Sequence, residues 1–314
     1  MTLLYYHPSF LDHDTGGHPE SAERLRQIVL ELEETGLSQR CVQPDWLAAD
    51  GGRLATVHSA QHVAALEQLA SRGGGMADAD TVVSPASVDV ARRAAGAVCD
   101  AVARVLAGEA RHALCLVRPP GHHALGDRSM GFCLLNNIAL GAQAALDAGL
   151  QRVLIVDWDV HHGNGTQAIF YDDPRVGFFS AHRWPFYPGS GAAEETGTGD
   201  GLGTTHNLPL PWGTPRKTYQ QRFRLELEDF ADRIRPELVL ISAGFDSHRE
   251  DPIGSLGLEV EDFAELSTAV LDVAQSHAQG RVVSVLEGGY NPPVLGRCVA
   301  THLREMLGSR EAGD

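Results

Sequence analysis

Val153-Leu-Ile-Val156 runs directly into Asp157-Trp-Asp159-Val-His161-His162-Gly-Asn164-Gly165, and this junction decides the fold. Four consecutive apolar residues that stop at a carboxylate read as a strand buried on both faces, as in a parallel sheet covered by helices. Similar runs occupy 3–6, 113–117, 176–180, 238–242 and 282–286. Between them the apolar residues take a helical period over 20–34, 61–71, 85–107, 134–148, 215–233, 260–278 and 293–307. Strand alternating with helix predicts right-handed crossovers and a layered α/β sandwich. No repeat, charge block or linker-like stretch divides the chain, so one domain over 1–314 is expected. The least regular stretch, 182–214, is rich in Gly, Pro and aromatics and is long enough to be a functional loop.

Composition narrows the classes. The 314 residues carry 25 Lys+Arg against 41 Asp+Glu, a formal charge of −16, with no basic cluster. Bulk nucleic-acid binding is therefore not expected. With 43% hydrophobic and 21% charged residues, the chain has the makeup of a globular protein with a sizeable core. Cys41, Cys99, Cys115, Cys133 and Cys298 are scattered and form no C-x-x-C pair, which argues against a disulfide framework or a thiolate zinc site. The N-terminus lacks a secretory pattern, and no run approaches the roughly 18 apolar residues of a membrane span. A cytoplasmic protein without a membrane partner is expected.

Ligands of open α/β sheets bind beyond the carboxyl ends of the strands. Four such ends carry reactive groups: Arg118-Pro-Pro-Gly-His122-His123, the Asp157 to Gly165 segment, Ala243-Gly-Phe-Asp246 and Glu287-Gly-Gly-Tyr290. If the strand persists beyond Val156, Asp157, Asp159 and His161 face one side while Trp158 and Val160 face the other. Crowded carboxylates and an imidazole repel or stay partly protonated unless a cation neutralises them. Asp246, from another strand, supplies the third ligand beside Asp159 and His161, leaving an open position as in catalytic divalent sites. Gly163, Gly165 and Gly244 allow tight turns around such a centre. The alternative is a hydrogen-bonded polar network at a sheet edge. Pro-Pro-Gly before His122-His123 fixes that pair in place, and the glycines before Tyr290 suit a closely approached tyrosine.

These segments resemble the histone deacetylase superfamily, on the class II side with bacterial deacetylase-like amidohydrolases and acetylpolyamine amidohydrolases. The similarity extends from His18-Pro-Glu-Ser-Ala-Glu-Arg-Leu25 through Val57-His-Ser59, Val83-Ser-Pro85, Met130-Gly-Phe-Cys-Leu-Leu-Asn-Asn137 and Asp251-Pro252 to Glu287-Gly-Gly-Tyr-Asn291. It implies the arginase-deacetylase fold, a three-layer α/β/α sandwich around a mostly parallel sheet of about eight strands. It implies hydrolysis of an acyl amide with zinc on Asp159, His161 and Asp246. It assigns His123 as general base and acid, His122 as its electrostatic partner, Tyr290 as oxyanion donor, Asp157 as the group orienting His122, and Asn164 beside His123. It also implies one or two potassium ions, one near Asp157, Asp159, His161, Ser180 and Ala181, the other near Phe170, Asp173 and Val176. The substrate tunnel would be lined by Gly131, Phe132, Tyr187, Ile253 and Gly289, with Tyr187 standing where relatives usually carry Phe.

The substrate is less determined than the reaction. A polyamine-specific relative is expected to carry glutamate at the position of Ile253, which favours N-acetyl-lysine side chains here. A small acetylated amine is the alternative in the same reaction class, with the loops at 11–18 and 182–214 opening or closing the mouth, alone or as a homo-oligomer. A weak acyl-lysine binding module is the third reading. An Asp-His-Asp site also suits iron(II) or cobalt(II). Asp12, His13, Asp14 and His18 read as solvated loop residues, and Cys133 as an inert buried thiol.

Overall fold

The computed structural model describes residues 1–308. Its strands are β1 (Thr2–Tyr5), β2 (Gly75–Met76), β3 (Val82–Val83), β4 (His112–Cys115), β5 (Val153–Asp157), β6 (Val176–Arg183), β7 (Thr205–Leu210), β8 (Leu238–Ala243) and β9 (Val282–Leu286). Its helices are α1 (Ala22–Glu34), α2 (Gly51–Leu54), α3 (Ala60–Ser71), α4 (Ser87–Leu106), α5 (Asn137–Asp147), α6 (Asn164–Phe170), α7 (Arg216–Ile234), α8 (Asp262–His277) and α9 (Pro292–Gly308). Seven strands form one sheet in the order β1-β4-β9-β8-β5-β6-β7, and every pairing is parallel. A separate hairpin joins β2 and β3.

All six apolar runs are strands of this sheet, and β4, β5, β8 and β9 are buried along their whole length. The seventh strand lies inside the stretch expected to be irregular. It reads Thr-His-Asn-Leu-Pro-Leu, half polar and containing a proline, because as an edge strand it need not be apolar on both faces. The expected count of about eight is corrected to seven. Beside β1 the chain makes only a one-residue bridge, through Val42, before Gln43-Pro44 breaks the pairing.

The connections set the place of the site. The chain leaves β5 for β6 on one side and β8 for β9 on the other, so β5 and β8 are neighbours whose continuations diverge. Their carboxyl ends flank the crevice where such sheets bind ligands. No helix among the described residues is long and apolar enough to cross a membrane.

Several histidines are packed inside this fold as neutral rings. Burial holds His58, His112 and His182 down at about 4 and His302 at about 3. The unfolded chain binds these protons near pH 6.5, so the native state holds fewer of them, and the stability these rings contribute is complete above that pH and is lost progressively as pH falls from there towards 4. At pH 5 each ring costs up to ~2 kcal/mol. Groups with raised pKa values run the other way, so the test is made on one ring: His302→Asn is expected to reduce the stability lost in urea unfolding between pH 7 and pH 5 by up to ~2 kcal/mol, and an unchanged pH dependence would contradict the assignment.

Candidate active site

β5 stops at Asp157, so the strand does not persist to His161 as the one-face reading requires. Two carboxylate-capped turns do the work instead. Asp157 Oδ1 accepts from the Asp159 N–H at 3.1 Å, and Asp159 Oδ1 accepts from the His161 N–H at 2.9 Å. Trp158 and Val160 remain fully buried, so the alternation survives the end of the strand.

Asp246 follows β8 by three residues, and its Oδ1 accepts from the Val160 N–H at 2.8 Å. Asp159, His161 and Asp246 offer ligand atoms within 4.8 Å of one another, all buried. His161 Nδ1 lies 3.0 Å from Asp159 Oδ1 and 3.1 Å from Asp246 Oδ2. One ring nitrogen carries at most one proton, and Asp246 Oδ2 is not aligned to accept it and has no hydrogen-bond partner. Two carboxylates and a ring nitrogen converging on one point, one oxygen unpartnered, fit a divalent cation. Electrostatics agree. Burial raises Asp246 to about 7, with the charge of Asp159 adding to it. Burial opposes protonation of His161, yet Asp159 and Asp246 together push it up to about 9, a charge that a cation would replace. The floor is glycine: a Cβ on Gly244 would collide with Asp159, and one on Gly288 with both Asp246 and Asp159.

The adjacent histidines have opposite environments. His122 Nδ1 donates to Asp157 Oδ2 at 2.9 Å, and although burial opposes it, the charges of Asp157 and Asp159 push the ring up to about 10. His123 Nδ1 donates to Asn164 Oδ1 at 2.7 Å, leaving Nε2 with its lone pair. Burial, then the charges of His122 and His161, hold His123 well below its usual value. Glu287 fixes the loop that carries both, its Oε2 accepting from the Gly121 and His122 N–H groups at 2.7 and 3.2 Å. Tyr290 is buried, and burial drives its phenol well above 10. The Arg24 guanidinium lies 5.0 Å over its ring and donates to the carbonyls of Gly289 and Glu287. Asp251 Oδ2 accepts from the Tyr290 N–H at 2.6 Å.

Of the expected tunnel residues, Gly131, Phe132 and Tyr187 surround His123 and Tyr290. The Tyr187 ring meets His123 edge-on at 5.3 Å, and Phe132 meets Tyr290 at 5.6 Å. Phe132 adopts a left-handed φ of 71°, costly for an aromatic residue, and its N–H is held by Thr81 Oγ1 at 3.1 Å. Ile253 lies on the loop organised by Asp251. Gly289 turns its open side to Leu295 and its carbonyl to Arg24. Asp157 and Ser180 are fully buried and paired in register between β5 and β6, with Ala181 next in line. Phe170, Asp173 and Val176 form a tight turn through successive backbone bonds.

Sequence reading missed the supporting residues. Glu20, buried, accepts from Arg24 at 3.1 Å and Arg118 at 2.5 Å. Phe186 stacks on His161 at 5.3 Å, backed by Arg183, which is sandwiched between Phe186 and Trp212. The i, i+4 spacing of Glu20 and Arg24 was the one local signal. The solvated reading of His13 is corrected: the ring is buried, bonded to Ser87 Oγ at 2.7 Å and next to Glu20, because Arg118 draws its carbonyl inward. Cys133 is buried, its thiol on the Gly131 carbonyl, and burial raises its pKa well above 9.

Gly288→Ala is expected to weaken cobalt(II) or zinc binding at least ~10-fold, about 1.4 kcal/mol, by wedging Asp246 and Asp159 apart. Titration with cobalt(II) followed by visible absorbance, with zinc as competitor, checks this, and unchanged affinity would show that the carboxylates are not the ligands.

Comparison with known proteins agrees with this geometry. Residues 18–306 match the model of the histone deacetylase domain. A probable deacetylase of Archaeoglobus fulgidus is 41% identical over 93% of this chain and 82% of its own length. A histone deacetylase-like amidohydrolase of Pseudomonas aeruginosa is 39% identical over 94% of this chain and 78% of its own. A human polyamine deacetylase is 40% identical over 98% of this chain, which spans 48% of that protein. The crystal structure of the HDA15 HD domain superposes with a TM-score of 0.91 at 34% identity, covering 98% of this chain and 90% of that one. The chain has the arginase-deacetylase fold and belongs to the histone deacetylase family, whose members are deacetylases and amidohydrolases.

Proposed function

We propose that the chain is a zinc-dependent deacetylase of N-acetyl-lysine side chains, acting as one domain over 1–314. The observation that carries the reading is the convergence of Asp159, His161 and Asp246 on one buried point, with the His123 ring 5.8 Å from that of His161 and Tyr290 close enough for the charges of Asp246 and Asp159 to act on its phenol. Zinc bound by those three residues supplies Lewis-acid polarisation of the amide carbonyl and acidifies a water. His123, neutral and with Nε2 unprotonated, takes the proton of the attacking water and returns it to the leaving nitrogen as the acyl C–N bond breaks. His122, kept charged by Asp157, stabilises the negative charge that develops beside it. Tyr290 keeps its hydroxyl proton and donates a hydrogen bond to the forming oxyanion, with Arg24 and Asp251 as positioning residues. Gly131, Phe132, Tyr187, Ile253 and Gly289 hold the four-carbon stem of the substrate.

Potassium belongs to this reading as well: one ion with Asp157, Asp159, His161, Ser180 and Ala181, and a second on the backbone of Phe170, Asp173 and Val176. The burial of Asp157 and Ser180 side by side supports the first. Five free cysteines fit a reducing, cytoplasmic setting.

A small acetylated amine is the second reading. Besides the polyamine-deacetylase relative, it is favoured by Asp78 and Asp80, close enough to Tyr187 for their charges to add to the effect of burial on its phenol. Such acids would attract a cationic stem.

The test compares kcat/KM on an acetyl-lysine peptide with that on acetylputrescine and acetylspermidine, using zinc-loaded protein. The peptide is expected to win at least ~10-fold, about 1.4 kcal/mol. A polyamine preference would overturn the argument from Ile253. Tyr290→Phe is expected to lower kcat ~10²- to 10³-fold and His123→Ala ~10²- to 10⁴-fold. No turnover of either substrate with zinc bound would favour a binding module.

A further inference from the structure

The amino edge of the sheet, opposite the candidate active site, holds a cavity of about 770 Å³. Arg40, Arg111 and Arg281 line it. Topology brings them together. Arg111 and Arg281 directly precede β4 and β9, whose first residues, His112 and Val282, pair in register. Arg40 ends the turn Ser38–Arg40, and two residues later Val42 bonds to Thr2 at the start of β1, the neighbour of β4.

Like charges at matching positions of adjacent strands repel. With 41 acidic residues in the chain, carboxylates are plentiful, and Arg53, Arg92, Arg104, Arg152 and Arg175 each find one. Among the described residues, none lies within ion-pair distance of Arg40, Arg111 or Arg281; Arg72 and Arg233 likewise have none, but these three line one cavity together. The acidic side chain in the described wall, Glu109, is already held by Arg104 at 2.9 Å. Other clefts carry the opposite balance: one contains Asp45, Asp50 and Asp100 beside a single arginine, another Asp127 and Asp173.

Arginine also suits the carboxyl ends of helices, several of which reach this edge. That accounts for Arg281, whose Nε donates to the Ala278 carbonyl at 3.1 Å just past α8. It does not account for Arg40 or Arg111, whose side chains bond to no carbonyl among the described residues.

We propose that this cavity binds a small polyanion of the polyphosphate class, as a free di- or triphosphate or as the phosphate tail of a nucleotide. Guanidinium forks match phosphate oxygens in pairs, three of them suit more than one negative charge, and the cavity has the size of small-molecule sites. It shares no residue with the candidate active site, so it stands independently of the reaction proposed above.

Calorimetric titration of the full chain with pyrophosphate, ATP and adenosine tests this. Pyrophosphate is expected to bind with Kd below ~1 mM at about 50 mM salt and more weakly at about 300 mM. Arg111→Ala/Arg281→Ala is expected to weaken it at least ~10-fold, whereas Arg72→Ala/Arg233→Ala, removing the same charge elsewhere, leaves it unchanged. Should the first pair fail to fold by circular dichroism, Arg40→Glu on its exposed turn carries the same expectation. ATP binding more tightly than pyrophosphate, with adenosine silent, assigns a nucleotide; equal affinities assign the free polyphosphate. No binding up to several times ~1 mM, or binding that the cavity substitutions leave intact, as chelation of a metal elsewhere would be, overturns the proposal.

Discussion

Buried carboxyl groups at one edge of the sheet are the constraint around which this molecule is organised. Asp157, Asp159, Asp246 and Glu287 stand at or just beyond the carboxyl ends of β5, β8 and β9, and each is at most 1% exposed. Removing an unpaired carboxylate from water is expensive, so each must be answered locally. Backbone N–H groups of Val160, Gly288, Gly121 and His122 answer Asp246, Asp159 and Glu287, and the His122 ring answers Asp157. These bonds dictate the paths of four loops. What stays unanswered is Asp246 Oδ2, at the point where the candidate ligands meet. The geometry of the loops and the demand for a cation thus follow from the same electrostatic problem.

A second layer repeats this logic with opposite signs. Arg24 and Arg118 are fully buried cations, and Glu20 sits between them. Burial would raise that carboxyl, yet Arg118 above all holds it down at about 2. Arg118 further donates to the carbonyls of Phe10 and His13, and Arg24 to those of Glu287 and Gly289. The group therefore ties the N-terminal loop and α1 to the segment carrying Tyr290. Removing one member would strand a buried charge, which is more damaging than the net worth of the pair.

This organisation explains what was legible in the sequence. The five central parallel strands are apolar on both faces and announced themselves, as did β1, which is buried although it stands at one edge, whereas β7, at the other edge and half polar, did not. Helix α6 was hidden by the glycines of His162-Gly-Asn-Gly165 at its start. Residues of the candidate site were visible because topology obliges them to follow strands, and because the family resemblance fixed their identity. Their supports were not. Arg118 meets Glu20 across 98 residues and Arg24 meets Glu287 across 263, and contacts at such separations leave no local pattern. His13 shows the same limit, since a loop composition of Asp, His and Gly gives no sign that an arginine far along the chain draws it inside.

His122 and His123 make the point most sharply, because identical neighbours acquire opposite roles. Their ring centroids are 4.0 Å apart, so protonating one opposes protonating the other. Asp157, buried and charged, settles the proton on His122. Asn164, neutral, offers His123 only an acceptor for Nδ1–H and no charge to favour a second proton. Environments that push two groups in opposite directions are how a site obtains an electrostatic stabiliser and a base from the same residue type. Replacing Asn164 with aspartate would give both rings a carboxylate and shrink that difference. The division of labour in the proposed reaction therefore rests on one amide standing where a carboxylate would fit.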